Sequence, residues 1–393
     1  MDPDESQRQR RARGAARALG AGAAPELRCH KRLRVLSTAS TESDPRGGGL
    51  RAETAAEATD VRRPPPEWVL LTGQGRSGTT WIGSILNTHR DASYHFEPFL
   101  ATKRTPMRAW LDALEAGDPA ATCEALAAAS AQPHPEVHYP PYPPKNHRRT
   151  PGWAVWAAFQ MSKRWRGSAP LFARLAKQHI QPRSYVIKDV NLPPDLVSKL
   201  CSRTECRLLA LVRKPFGSIA SLLRGHRGKK FDEHAQHRAH AETLRHLSAL
   251  NDAGPNTRAS LPGPIESLSD AAIEALRWRI QTEGLLKVCE EHSDSYLINY
   301  DRFREDPAAG TRKLFEHLGW ELDPTTLDVA ENGLRTWWRR ERFFSTKKSS
   351  VQDVDSWRQY LTSAEIAECQ AVLEGSPALR LWPELDERRE TPD

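Results

Sequence analysis

The chain predicts an α/β fold, a three-layer α/β/α arrangement around a central parallel sheet. Short apolar runs recur along it, and each is followed by a segment of helical periodicity. One of these runs, Arg207-Leu-Leu-Ala-Leu-Val-Arg213, is nearly all apolar, as a strand buried on both sheet faces should be. The first run, from Trp68, feeds a Gly-rich loop and then the helical pattern Trp81, Ile82, Ile85, Leu86. Strand–loop–helix units of this kind assemble into parallel sheets through right-handed crossovers.

Residues 1–63 are rich in Arg, Ala, Gly and Ser without a sustained apolar period, so a disordered basic tail is expected. Pro64-Pro65-Pro66 stiffens the entry to one domain over 64–385. After the loop, a helix is predicted over Thr79–His89 and a strand over Ser93–Phe96. Residues 101–180 read as helical around Met107–Ala129 and Phe159–His179. Between them Gln132–Pro151, rich in Pro, His and Tyr, reads as an insertion. Strands are expected at Tyr185–Asp189, Arg207–Arg213 and Tyr296–Tyr300, with helices at Phe216–Arg224, Ser269–Glu291 and Pro307–Leu318. Gly319 stops the last of these. The polar segment 226–265 places His234, His237 and His240 at three-residue spacing. With no carboxylate or cysteine partner fixed in sequence, it reads as a mobile polar helix rather than a metal site. No internal repeat is apparent.

The 393 residues are 38% hydrophobic and include twelve Trp, enough for a packed core, while a mean hydropathy of −0.64 implies long polar excursions. A net charge of +7 and a pI near 9.1 suit an anionic ligand. No aromatics interleave the N-terminal arginines, so no specific nucleic-acid partner is expected. The six Cys are scattered and read as reduced thiols of an intracellular protein. No apolar run reaches the roughly 18 residues of a membrane span, and the N-terminal arginines precede no apolar signal region. A soluble, cytoplasmic protein of open oligomeric state is the expectation.

The chemistry gathers at strand ends. Gly73-x4-Gly78 fits the spacing of the nucleotide-binding G-x-x-x-x-G-K-[ST], but Thr79 stands where that motif has Lys. In NTPases that lysine holds the β/γ-phosphates, so this P-loop-type turn is expected to hold another phosphorylated ligand, with Arg76 supplying charge. Lys188 ends the second buried strand. Arg213 ends the third, with Ser218 and Ser221 on the helix that follows. Guanidinium grips phosphate bidentately and hydroxyls add directed donors, so the set describes a ligand with two separate anionic groups.

Gly75-Arg-Ser-Gly-Thr-Thr-Trp81 resembles the 5′-phosphosulfate loop of sulfotransferases that use PAPS (3′-phosphoadenylyl sulfate). Val212-Arg-Lys-Pro-Phe-Gly-Ser-Ile-Ala-Ser221 is similar to their 3′-phosphate segment, with Arg and Ser eight residues apart. Tyr94-His-Phe-Glu-Pro98 resembles the Phe-Glu-Pro of carbohydrate sulfotransferases, and Lys188-Asp189 the Lys-Asp of tyrosylprotein sulfotransferases. Tyr300-Asp301 before Asp306-Pro307, and Lys347-Lys-Ser-Ser350 followed by Asp355-Ser-Trp-Arg, resemble later family segments. The matches run in family order from about 68 to 375.

This resemblance implies a P-loop-type fold and in-line sulfuryl transfer from PAPS without a metal. Implied to bind the cofactor are Arg76, Ser77, Gly78, Thr79, Thr80, Trp81 (stacked on adenine), Arg213, Ser221, Tyr300, Lys347, Lys348 and Ser349. Arg76 and Lys188 would offset charge on the leaving phosphate. Asp189-Val190 replaces the Thr-His of small-molecule enzymes, so the base is expected to be Glu97, twenty-one residues after Arg76. His95 is the second candidate, since strand alternation puts it on Glu97's face and both would line the cleft. Trp337, Trp338 and Trp357 read as core or cleft wall. The acceptor implied is a carbohydrate hydroxyl, with protein tyrosine or a small metabolite as alternatives. A P-loop kinase or NTPase, or a non-catalytic polyanion-binding protein, are the other readings. The 132–151 and 226–265 segments are where an acceptor pocket is expected.

Overall fold

The computed structural model describes residues 66–228, 267–333 and 356–383. The expectations for the tail, for the three spaced histidines, for Lys347, Lys348 and Ser349, and for Trp337 and Trp338 fall outside these residues.

Five strands, β1 (Glu67–Gly73), β2 (Ala92–Phe96), β3 (Ser184–Lys188), β4 (Arg207–Val212) and β5 (Ser295–Asn299), form one sheet in the order β2-β3-β1-β4-β5. Every neighbouring pair is parallel, with Leu71 opposite Lys188 in β3 and Gly73 opposite Leu211 in β4. The chain leaves β1 toward one edge and β4 toward the other. Their C-terminal ends therefore diverge into a crevice at the centre of the sheet, the usual binding position in open α/β sheets.

Period-two alternation builds the layers. Trp68 and Leu70 of β1, Tyr185 and Ile187 of β3, and Leu208 and Ala210 of β4 face one core. Helices α2 (Pro106–Glu115), α3 (Cys123–Ser130), α6 (Pro194–Thr204) and α8 (Asp270–Glu291) contribute to that side. Val69, Leu71, Val186, Leu209 and Leu211 face the other, closed by α1 (Thr79–Leu86), α9 (Tyr300–Glu305), α10 (Pro307–Leu318) and α11 (Pro324–Asn332). Helix α7 (Pro215–Arg227) packs with α8 and α12 (Ser363–Leu373) in a third cluster. Truncating a fully buried strand residue such as Leu71 to Ala would cost about 2–5 kcal/mol, through lost transfer energy and the cavity left behind. A smaller cluster joins α4 (Gly152–Arg164) and α5 (Ala169–Leu175) through Phe159 and Phe172.

The helical readings of 107–129 and 159–179 each resolve into two helices. The first breaks at Gly117, whose φ of 74° ends α2, and Thr122 starts α3 by accepting from the Ala125 N–H. The second starts earlier than expected, at Gly152 behind Pro151, and breaks after Arg164. Helix α1 stops at Leu86 rather than His89, and the Lys145 ammonium bonds the Asn87 and His89 carbonyls beyond its end.

Candidate active site

Close approach shapes the loop between β1 and α1. A Cβ on Gly73 would lie 2.4 Å from the Leu211 carbonyl, and one on Gly78 would lie 2.4 Å from the Tyr300 ring. Gly78 also has φ 107°, where L side chains are strained. The turn closes with Ser77 N–H donating to the Gln74 carbonyl at 3.1 Å. Asn191 braces it from β3: its N–H donates to Gly73 O at 3.0 Å, and its Oδ1 accepts from Gly75 N–H at 2.7 Å. Helix α1 then begins with no side-chain cap and no acidic residue in its first turn. Its N-terminal N–H groups and positive dipole end are left for an anion.

On the β4 side, Arg213 donates to the Arg76 carbonyl at 3.0 Å and lies 4.8 Å over the Tyr300 ring. The Trp278 indole N–H fixes the Arg213 carbonyl at 2.9 Å. Arg76 Nε donates to Ser221 Oγ at 3.1 Å. Burial, then the charges of Arg213 and Arg224, lower the Arg76 pKa below the ordinary arginine value. Asp301 accepts from the Lys214 N–H at 2.7 Å, tying the start of α7 to α9. Ser77 Oγ, Ser218 Oγ, Arg213 Nε and the Gln74 amide are buried and make no hydrogen bond. Such a concentration of unmet polar groups marks a ligand site.

On the β3 side, Lys188 is 1% exposed and its ammonium pairs with Glu97 Oε1, with Nζ 4.3 Å from the Phe96 ring centre. The turn carrying Glu97 is clamped by backbone contacts. Glu97 N–H donates to Lys188 O at 2.6 Å, and Phe99 N–H donates to Asp189 Oδ2 at 2.8 Å. Lys103 Nζ donates to Phe96 O at 2.7 Å, and burial lowers its pKa. Burial raises the Asp189 pKa to about 7, partly opposed by the Phe99 N–H bond.

His95 does not line the cleft beside Glu97. It is fully buried, contacts the Ser130 carbonyl at 3.1 Å and stands edge-on to His138, and burial lowers its pKa to about 4. Strand alternation fails as a guide because β2 ends at Phe96 and Glu97 turns to φ 47°. Arg76, Glu97 and Asn191 are three of the four non-glycine residues with positive φ among those described, and all three stand just beyond strand C-termini. Backbone strain of this kind collects at functional sites.

Ser77, Gly78, Arg76, Arg213, Ser221 and Tyr300 thus gather around the β1–β4 crevice. Glu97 and Lys188 stand together on the other flank of β1. Arg76 faces Ser221 and Arg213 rather than being paired with Glu97. Thr79 is buried at the helix start, Thr80 is exposed, and the Trp81 ring stands edge-on to Tyr300 and Phe303. Trp357 stacks on Phe216 at 4.6 Å, partly buried against the core that α7, α8 and α12 share. Sequence reasoning missed Asn191 and Lys103. Asn directly after Lys188-Asp-Val was a usable signal, because Asn tolerates left-handed backbone. Lys103 carried none, since its contact depends on how the chain folds back over Phe96.

The profile of the family described as "Sulfotransferase domain" matches residues 66–382, and the chain belongs to that family. Among solved structures, it is similar to mouse sulfotransferase SULT7A1 complexed with PAP, at 12% identity over 81% of this chain and 88% of that one (TM-score 0.39). It is likewise similar to sulfotransferase STF9 from Mycobacterium avium, at 16% identity over 81% and 78% (TM-score 0.39). A sulfotransferase domain from the curacin biosynthetic pathway matches at 13% identity over 69% and 79% (TM-score 0.38). No curated protein matches. The chain is accordingly a sulfuryl-transfer enzyme with a P-loop-like α/β fold.

Proposed function

We propose that this enzyme transfers the sulfuryl group of PAPS to a carbohydrate hydroxyl, with Glu97 as the general base. The observation that carries the reading is the Lys188–Glu97 pair set at a strand end beside the phosphate loop. PAPS supplies the sulfuryl group and a phosphate leaving group.

The buried polar atoms without partners fit such a donor. Ser77 Oγ, the α1 N-terminus and the turn at Gly78 suit its 5′ end, and Arg213 Nε, Ser218 and Ser221 suit its 3′-phosphate. Trp81 and Tyr300 offer aromatic surface next to the loop. Lys347, Lys348 and Ser349 complete the proposed donor set. Arg76, whose charge is already crowded by Arg213 and Arg224, gains most from an anion placed against it.

Lys188 holds one Glu97 oxygen and so orients the carboxylate. The other oxygen accepts the acceptor hydroxyl proton. As that proton arrives, Lys188 is released from its full counter-charge and can stabilise negative charge developing on the leaving oxygen. The clamp from Lys188 O and Asp189 keeps Glu97 in position through this change.

We extend the proposal to the chain as a whole: a catalytic domain over 64–385, a basic tail over 1–63 and a cytoplasmic setting. Glu97→Gln is the appropriate test, because the amide keeps a hydrogen bond to Lys188 while losing basicity. Transfer of labelled sulfate from PAPS should fall about 10²–10⁴-fold with PAP affinity within twofold (about) of the parent. Undiminished turnover in this variant would remove Glu97 as the base. A screen of glycans, phenols and tyrosine peptides with labelled PAPS tests the acceptor, and labelling of peptides alone would overturn the carbohydrate assignment.

A further inference from the structure

Between Glu136 and Asp189 the chain carries ten Lys and Arg and no Asp or Glu; among the described residues six of these cations are exposed (Arg149, Lys163, Arg164, Arg174, Lys177 and Arg183), while Lys188 is buried against Glu97. Random surface charge does not leave fifty residues without an acid. The same stretch is unusual in a second respect. Seven large apolar side chains are exposed among the described residues, and five of them lie here: Trp153, Met161, Trp165, Leu171 and Ile180. Trp153 and Trp165 are 75% and 67% exposed.

Helix geometry puts the α4 members on one side. Val155, Ala158 and Phe159 form its buried stripe, and Trp153, Met161 and Arg164 fall within about 80° on the opposite face at 100° per residue, with exposed Trp165 extended directly after the last turn. On the following segment, exposed Leu171 and Ile180 bracket exposed Arg174 and Lys177. Two tryptophans, three aliphatic side chains and interspersed cations, free of acids, form the composition of a surface that lies in a membrane interface. Indole rings settle at headgroup depth, aliphatic groups reach the acyl boundary, and cations meet anionic lipid.

We infer that the α4–α5 surface docks on an anionic lipid bilayer. An acidic polysaccharide would satisfy the cations but would leave Met161, Leu171 and Ile180 in water, and a neutral protein partner would not use the charge. Each exposed Lys or Arg near an anionic leaflet adds electrostatic attraction, and the exposed apolar groups add burial. The surface adjoins the catalytic flank. Lys163 lies 5.2 Å over the Tyr139 ring, and Tyr139 packs against Phe96, the ring beside Lys188. Docking there would bring Glu97 close to acceptors displayed at a membrane, although the inference holds whatever the acceptor is.

The test is sedimentation of the full chain with vesicles of phosphatidylcholine alone or with phosphatidylserine. Pelleting should require phosphatidylserine and diminish as salt is raised. It should be lost in Trp153→Ala/Trp165→Ala, along with quenching of tryptophan fluorescence by brominated lipid. Both side chains are exposed, so the double variant should keep the parent melting temperature and PAP affinity. Arg164→Glu/Arg174→Glu/Lys177→Glu should lose the phosphatidylserine dependence by a separate route. Failure of the parent to pellet, or equal pelleting of the tryptophan variant, overturns the inference. So does retention on heparin that the tryptophan variant loses while vesicles never bind, an outcome that would make the partner an acidic polysaccharide.

Discussion

Glu97 and Lys188 are unequally buried, and that inequality sets what their removal should do. Lys188 is 1% exposed and Glu97 20%, so deleting the carboxylate strands a buried cation, whereas deleting the lysine leaves an anion that water can reach. Glu97→Ala should therefore cost about 3–5 kcal/mol of stability in denaturant unfolding, with Lys188→Met costing less. Equal costs would mean that the pair is more hydrated than its geometry implies. Asp189 ties stability to pH. Its native pKa of about 7 lies above the usual 3.8, so the stability it contributes is present at low pH and lost as pH rises from about 4 to 7. His95, held at about 4 against a usual 6.5, contributes stability above 6.5 that is lost as pH falls toward 4. The two offset each other over the same window. Asp189→Asn should make the parent's acid destabilisation between pH 7 and 4 steeper, measured as melting temperature against pH; an unchanged profile would count against a protonated native Asp189.

At the scale of elements, the phosphate loop depends on a missing side chain. Gly78→Ala would combine a strained φ of 107° with a Cβ 2.4 Å from the Tyr300 ring. The expected cost is about 1–3 kcal/mol from backbone strain alone, and PAP binding should weaken as α1 and α9 separate. Arg213→Ala removes both a guanidinium and the brace on the Arg76 carbonyl. PAP affinity should fall by about 1.5–3 kcal/mol, or about 10- to 150-fold, and an unchanged dissociation constant by calorimetry would remove Arg213 from the donor site. These elements were legible because their signals are local: an apolar run, glycines at fixed spacing, a strand-end arginine with serines two turns on. The breaks at Gly117 and after Arg164 carried local signals that the helical reading passed over, Gly117 before Pro119 and Gly167 before Pro170 in the first turn of α5, because helix-forming residues flank both. The position of His95 was misread because alternation was carried past the end of β2.

For the whole molecule, the sheet order converts scattered motifs into one site. β1 stands between β3 and β4, so residues 76, 188 and 213 stand at adjacent strand ends, Arg76 and Arg213 in contact and Lys188 on the other flank of β1, although more than a hundred positions separate the first from the other two. Ligand binding should then stabilise the entire domain. PAP at a hundred times its dissociation constant should add about 2.7 kcal/mol, and ATP with magnesium should do much less; preference for the nucleotide would favour a kinase or NTPase. The sequence by itself determined the strand–loop–helix units, the absence of the loop lysine and the sulfotransferase motifs, because propensity, glycine spacing and apolar period are properties of neighbouring residues. Only the tertiary structure decided that Glu97 pairs with Lys188 while Arg76 turns toward Ser221, that Asn191 braces the loop, and that Trp153 of α4 and Trp165 just beyond it are exposed among exposed cations. Those facts depend on strand order and on which helix face finds a partner, and long-range packing alone sets both.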